Sequence, residues 1–203
     1  MEDNEKKKIV KDILINSLQD VYRIDYKNID MGVSERNICA RLAHYMENRM
    51  RNYDRPHSEE DFFSGYFADV EYNRERTVPK KLNGDDITCD LLIQTRTDAP
   101  NLLALEMKKK PKYLNSSVEF YKIQKEEFNS DRARLREMVS EGDDYVHNTL
   151  IGAFIVYSEE KITIEFFEKD ENGIGAPTDI YKYNVIPNTD EETGEEYMTL
   201  KLV

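Results

Sequence analysis

The sequence predicts an α/β fold, a mixed central β-sheet flanked by helices, within one domain spanning residues 1–203. Three observations carry this expectation. Apolar residues recur at helical spacing over two N-terminal stretches. Alternating or continuous apolar runs follow at 66–72, 87–95 and 102–108. A further helical stretch then separates the third run from a buried-strand pattern at 149–157.

From Glu5 to about Tyr22, residues Ile9, Val10, Ile13, Leu14, Leu18 and Val21 keep helical spacing among lysines and aspartates. They predict an amphipathic helix that caps the core, the N-terminal helix 5–28. After the turn signal Asp30-Met31-Gly32, Ser34 is an N-cap for a second helix with the apolar face Ile38, Leu42, Tyr45 and Met46. Glu35 falls in its first turn. Arg55-Pro56 and the polar run His57 to Asp61 end this helix near Tyr53. Tyr66, Ala68, Val70 and Tyr72 then alternate with Phe67, Asp69, Glu71 and Asn73, so Glu71 shares a strand face with Asp69. Asn83-Gly84-Asp85-Asp86 reads as a turn. Ile87–Thr95 reads as a strand with Ile87, Cys89, Leu91 and Ile93 on its apolar face and Asp90 on the other.

The turn Asp98-Ala99-Pro100-Asn101 leads into Leu102–Lys108, a nearly continuous apolar run that implies burial on both faces and ends in Glu106 and Lys108. The pattern turns helical from Asn115 to Ser140, with a break or second cap expected at Asn129-Ser130 and a stop at Gly142. Thr149–Tyr157 predicts a buried central strand and Lys161–Glu168 its hairpin partner. Tyr181–Ile186 and Tyr197–Val203 flank the turn-like TDEETGEE and predict a peripheral hairpin in an acidic C-terminal β extension, 170–203.

The composition narrows the function classes. Lys and Arg number 29 against 41 Asp and Glu, a net charge of -12 that opposes phosphate backbones at long range yet leaves local basic patches able to act. The acidity is confined to residues 137–203, which carry 4 basic against 16 acidic residues. The basic clusters lie earlier, at Lys108, Lys109, Lys110 and Lys112 and at Arg132, Arg134 and Arg136. Cys39 and Cys89 show no metal-type spacing and are expected as buried, reduced thiols; His44, His57 and His147 form no i, i+4 pair, which argues against zinc. No GxxxxGKS, GxSxG or GxGxxG appears, which argues against an NTPase, a serine hydrolase and a dinucleotide enzyme. No apolar run approaches the roughly 18 residues of a membrane span, and MEDNEKKK lacks a signal-peptide core. The expectation is a soluble, cytoplasmic protein with no membrane partner.

What remains is a set of acids on consecutive elements, Glu35, Glu71, Asp90 and Glu106, with Lys108 two residues after the last. Strand geometry puts Glu106 and Lys108 on one face, and Asp90 joins them if the two strands form a hairpin. Hard oxygen ligands of this kind suit Mg²⁺ or Mn²⁺. A metal there would activate a water and stabilise charge on a phosphate, with a lysine to orient that water. A surface salt bridge is the alternative use of Glu106 and Lys108, but a strand buried on both faces makes idle charges costly.

At these residues the chain resembles a known family. Asp90, the strand and hairpin after it, and Glu106-Met107-Lys108 look like the D…ExK signature of the PD-(D/E)xK nuclease superfamily, which has the restriction-endonuclease-like fold. Glu35 in SERNICARLAHYM and Glu71 in DVEYNRE stand where members often carry acids, and the resemblance covers roughly residues 33–168 as helix, three strands, helix, strand. It implies that Asp90, Glu106 and the Met107 carbonyl ligate Mg²⁺ or Mn²⁺ and that Lys108 positions or activates the attacking water. Glu35 and Glu71 would assist, and Lys109, Lys110, Asp131 and Arg134 would lie near substrate phosphates. It further implies a nuclease acting on DNA in preference to RNA, as a homodimer if both strands are cut. Cys89 stands where the literal motif has proline. The acidic C-terminal third motivates the alternative of a catalytically inactive binding or assembly component that docks a basic protein partner. A third expectation, a nucleic-acid mimic, needs its carboxylates on one exposed surface and is disfavoured by the apolar text around Asp90 and Glu106.

Overall fold

A computed structural model describes residues 2–55, 61–71, 74–75, 78–79, 81–82, 85–86, 88–97, 99–110, 118–142 and 149–203, with backbone alone in 74–86 and 118–124. The chain opens with α1 (Asp3–Ile24), the short α2 (Tyr26–Asp30) and α3 (Glu35–Asp54). Seven strands follow in one mixed sheet: β1 (Tyr66–Val70), β2 (Leu91–Thr95), β3 (Asn101–Lys109), β4 (Thr149–Tyr157), β5 (Lys161–Lys169), β6 (Gly175–Thr189) and β7 (Glu196–Leu202). The helix α4 (Val118–Val139) connects β3 to β4. Two two-residue ladders, Arg74–Glu75 with Val78–Pro79 and Lys81–Leu82 with Asp85–Asp86, lie between β1 and β2.

Spatial order equals chain order. Every neighbouring pair is antiparallel except β3 and β4, which run parallel with Leu103 opposite Ile151 and Lys109 opposite Tyr157. A parallel pair needs a crossover, and α4 supplies it. The sheet therefore carries helices on both faces. α1 and α3 cover one, where Val10, Leu14, Leu18, Ile38, Leu42 and Met46 pack on Leu91, Leu103, Leu105 and Ile155. α4 covers the other, where Leu135, Met138 and Val139 meet Leu92, Ala104, Phe154 and Phe167. β3 is buried on both sides, as its continuous apolar text predicts.

The expected helices and strands are present, with five differences. The N-terminal helix over 5–28 is two helices, α1 and α2, parted at Asp25. β2 begins at Leu91, not Ile87: the chain bends at Asp90, and Ile87 lies outside the described residues. That bend also breaks the alternation, so Cys89 packs with Leu92 under α4 and not with Leu91 and Ile93. α4 runs unbroken through Asn129-Ser130, because Phe128 and Leu135 on either side pack on the same side of the sheet and hold the helix in one piece. The C-terminal hairpin forms the edge of the sheet but starts earlier than its text suggests: β6 begins at Gly175, pairs with β5 over its first part and with β7 over its second. Pairing on both sides gives the isolated pattern at 181–186 a longer partner than its own text suggests. The turn residues Asn83, Gly84 and Asp98, the helix start at Asn115, Lys112, His57 and His147 lie outside the described residues. Among the described residues no helix is long and apolar enough to cross a membrane.

Candidate active site

The C-terminal end of β3 is where the sheet runs out of partners. β2 pairs with β3 only from Leu91, opposite Leu105, so the amides of Met107 and Lys109 have no strand beside them on that side. Two carboxylates take their place. Asp90 Oδ2 accepts the Met107 amide at 2.7 Å, and Glu35 Oε1 accepts the Lys109 amide at 2.7 Å. Glu35 reaches this point because Ser34 caps α3, its Oγ accepting the Asn37 amide at 3.3 Å, and sets Glu35 as the first helical residue.

On the α4 face of β3, Glu106 is 1 % exposed. A carboxylate at that depth requires a partner, and α4 provides it: Arg134 donates to Glu106 Oε1 from Nε at 3.0 Å and from Nη2 at 2.6 Å. The same Nη2 donates to Asp131 Oδ1 at 2.6 Å. Asp131 is 7 % exposed, and its other oxygen, Oδ2, makes no hydrogen bond. The Lys108 ammonium stands between the carboxylates, 3.6 Å from Asp131 Oδ2 and 3.9 Å from Asp90 Oδ2.

Charge at the site follows from this crowding. Burial pushes the Glu106 carboxyl up to about 8, and Asp90 and Asp131 add to the rise that Arg134 only partly offsets. Burial disfavours the Lys108 ammonium, but Asp90, Asp131, Glu106 and Glu35 outweigh it and hold Lys108 above the ordinary lysine value. Lys108 is therefore held as an ammonium, a hydrogen-bond donor. Cys39, across β3 with its Sγ 3.8 Å from Met107 Sδ, is pushed up by burial and by the same carboxylates, so it stays a thiol and offers no nucleophile.

Of the residues singled out in the sequence, Asp90, Glu106 and Lys108 come together, and Glu35 closes the end of the same strand. Met107 buries its side chain and turns its amide to Asp90. Glu71 does not point its carboxylate into the cluster: it is exposed and pairs with Arg36 at 3.1 Å. Its backbone does border the site, in the left-handed region at φ 50° and with its amide donated to the Asp90 carbonyl at 3.2 Å. Lys109 does not face solvent anions, since its Nζ donates to the Ile29 carbonyl at 2.7 Å and pairs with Glu159 at 3.2 Å. Lys110 is exposed at the strand end. Arg134 is held by Glu106 and Asp131. Asp131 is a fuller member of the cluster than its sequence suggested; its i, i+3 relation to Arg134 on a helix was the available signal.

The donors have the hard, oxygen-rich character that Mg²⁺ or Mn²⁺ prefers. Among the described residues no three His, Cys, Asp or Glu side chains converge as a ready-made metal cage. The two carboxylates nearest each other are held by a salt bridge: Glu106 Oε1 and Asp131 Oδ1 both sit 2.6 Å from Arg134 Nη2. Asp131 Oδ2 makes no hydrogen bond and faces the Lys108 ammonium at 3.6 Å. Against known proteins, the chain matches no family model, no curated protein and no solved structure.

Proposed function

We propose that the protein is a divalent-metal-dependent nuclease that hydrolyses phosphodiester bonds, with DNA as the preferred substrate, on a restriction-endonuclease-like core. The observation that carries this reading is the burial of Glu106 beside Asp90, Asp131 and Lys108 at one strand end, an arrangement expensive to fold. The element order α3, β1, β2, β3, α4, β4, with only β3 and β4 parallel, supports the fold part of the reading.

Asp90 and Glu106, with the Met107 carbonyl, would hold the ion, and Asp131 extends the donor set. When bound, Mg²⁺ or Mn²⁺ supplies a water of lowered pKa and neutralises charge on the phosphate. Lys108, kept as an ammonium by its carboxylates, orients that water through donated hydrogen bonds and stabilises negative charge as it builds on the phosphoryl oxygens. Glu35 fixes the end of β3 and hence the place of Lys108. The exposed Lys110 offers a first contact for a phosphate backbone.

Purified protein incubated with plasmid, single-stranded DNA and RNA in Mg²⁺, Mn²⁺ or EDTA tests this directly. Metal-dependent cleavage that Glu106→Gln abolishes supports it; no cleavage on any substrate, with no metal binding by calorimetry, overturns it. The alternative of an inactive assembly component rests on the exposed acidic turn 190–196 between β6 and β7. Co-purification of a basic partner, lost when 190–203 is deleted, would favour it.

A further inference from the structure

We propose that the α4-side face of β5, β6 and β7 carries the phosphate backbone of a nucleic acid on Lys161, Lys182 and Lys201 and leads it to the candidate site at Lys108. The inference deepens the nuclease reading and rests on it for the identity of the polyanion.

Strand register places these residues together. Lys108 lies opposite Val156, Val156 opposite Thr163 and Thr163 opposite Lys182, so one row crosses β3, β4, β5 and β6 from the site outward. Two residues along, Lys161 lies opposite Asn184 and Asn184 opposite Lys201. Residues opposite one another share a face, as do residues two apart on a strand. The residues between them, Ile162, Ile164 and Tyr183, turn the other way into the core under α1 and α3. On the α4 side the helix reaches as far as Glu165, to which Arg132 donates at 2.6 Å. Lys161, Lys182, Asn184 and Lys201 are exposed.

The charge on this face opposes that of the chain around it. Residues 137–203 hold 4 basic residues, Lys161, Lys169, Lys182 and Lys201, against 16 acidic ones, and three of the four stand here. Among the described residues of β5, β6 and β7 the acid on this side is Glu165, matched by Arg132, whereas Glu168 and Asp179 meet Lys11 of α1 on the other. None of the three lysines forms an ion pair among the described residues. A lysine on an edge strand keeps other strands from pairing with it, which accounts for Lys201 on β7. Lys161 and Lys182 stand on inner strands, where that use does not apply. Strand spacing puts the three positions within about 10 Å of one another, close to the Debye length at roughly 0.1 M salt, so the ammoniums repel unless anions lie among them. The row from Lys108 to Lys182 spans roughly 14 Å, about four nucleotides of one duplex strand. A lipid surface would also meet Glu160 and the acidic turn 190–195, which are exposed, apart from half-buried Asp190, while a single line of phosphates can follow the row between them.

Fluorescence anisotropy with labelled single-stranded and duplex DNA, in EDTA, measures affinity against salt for the full chain and three triple variants. Lys161→Gln/Lys182→Gln/Lys201→Gln removes the charge of the face, and Lys161→Arg/Lys182→Arg/Lys201→Arg keeps it. Lys8→Gln/Lys27→Gln/Lys169→Gln removes equal charge from exposed lysines on α1, on α2 and at the far end of β5. Three lost phosphate contacts lower the slope of log affinity against log salt by about two to three. The proposal expects that fall in the first variant and an unchanged slope in the other two. An unchanged slope in the first variant, or an equal fall in the third, overturns the path and leaves the nuclease reading standing. A fall in the arginine variant equal to that in the first overturns the role of charge. No DNA binding by the unaltered chain overturns the path, and the nuclease reading falls with it only if Mg²⁺-dependent cleavage is absent as well. Binding to phosphatidylserine vesicles that the first variant loses, with no binding to DNA, overturns nucleic acid as the occupant.

Discussion

The Asp90 carboxylate accepts the Met107 backbone amide at 2.7 Å, standing where the carbonyl of a longer β2 would have stood. Glu35 does the same one step further along for Lys109. These acids thus have a structural use, finishing the ladder of a buried strand whose neighbour stops early. That use also immobilises them. A carboxylate tied through one oxygen to the amide of the residue between Glu106 and Lys108 is fixed relative to both, which a site that must place charges within fractions of an ångström requires.

The two uses of Asp90 separate on substitution. Asp90→Asn keeps an oxygen for the Met107 amide and should change stability by less than about 1 kcal/mol, whereas Asp90→Ala leaves that amide unpaired and should cost about 2 kcal/mol. Both should abolish metal-dependent cleavage. Urea unfolding of the two variants beside a cleavage assay checks this. Equal destabilisation by Asn and Ala would mean that the charge, and not the hydrogen bond, holds the end of β3.

The Lys108 ammonium lies 3.9 Å from Asp90 Oδ2 and 3.6 Å from Asp131 Oδ2, and its tie is to these carboxylates. Lys108→Met should therefore leave Mn²⁺ affinity undiminished and lower the cleavage rate by roughly a hundredfold, the usual loss for one positioned proton-transfer or charge-stabilising group. Calorimetry and single-turnover cleavage give the two numbers. Cleavage at the unaltered rate would remove Lys108 from the mechanism.

Much of this was legible in the sequence, and the reason is periodicity. The apolar runs at 102–108 and 149–157 and the helical text between them specify a buried pair with a crossover, and the shared face of Glu106 and Lys108 follows from strand phase. What the sequence withheld depends on distance along elements. Helical phase says that Asp131, Arg134 and Leu135 share a side of α4, but not how far α4 is shifted along β3, so the Arg134–Glu106 pair could not be read. The Asn129-Ser130 signal was overridden by packing of Phe128 and Leu135. The bend at Asp90, which puts Cys89 on the opposite face from Leu91, arises from the Asp90–Met107 bond and the contact of the Glu71 amide with the Asp90 carbonyl, both between residues far apart in sequence.

Two glycines differ in what a methyl group would meet. A Cβ on Gly175, at the start of β6, would lie 1.9 Å from the Arg136 carbonyl oxygen and 2.7 Å from Val139 Cγ2, so β6 approaches the end of α4 only because the residue is glycine. Gly194, in the turn between β6 and β7, has φ +72° and open space around it. Gly175→Ala should cost about 3 kcal/mol through backbone displacement, and Gly194→Ala about 1 kcal/mol through the left-handed backbone alone. Denaturant midpoints of the two variants decide. A smaller loss at Gly175 would show that β6 can shift away from α4 without penalty.

Between α1 and the sheet, Glu168 receives Lys7 at 2.9 Å and Lys11 at 2.5 Å, and Lys11 also meets Asp179 at 2.6 Å. Burial alone would raise the Glu168 carboxyl, but hydrogen bonds and charge from Lys11 and Lys7 outweigh it and hold the group below its ordinary 4.5. A carboxyl whose folded pKa is lowered binds fewer protons in the native state than in the unfolded one. Its contribution is fully present above 4.5 and is lost as the pH falls through the lower folded value. The pairs are partly solvated, which limits the contribution to about 1 kcal/mol. Glu168→Gln should therefore lower the melting temperature near pH 7 and converge with the unaltered protein in acid. Melting curves of both proteins from pH 7 down to strongly acidic buffer measure the gap; a gap that stays constant through the acid range would show that Glu168 stabilises α1 against the sheet by packing and not by charge.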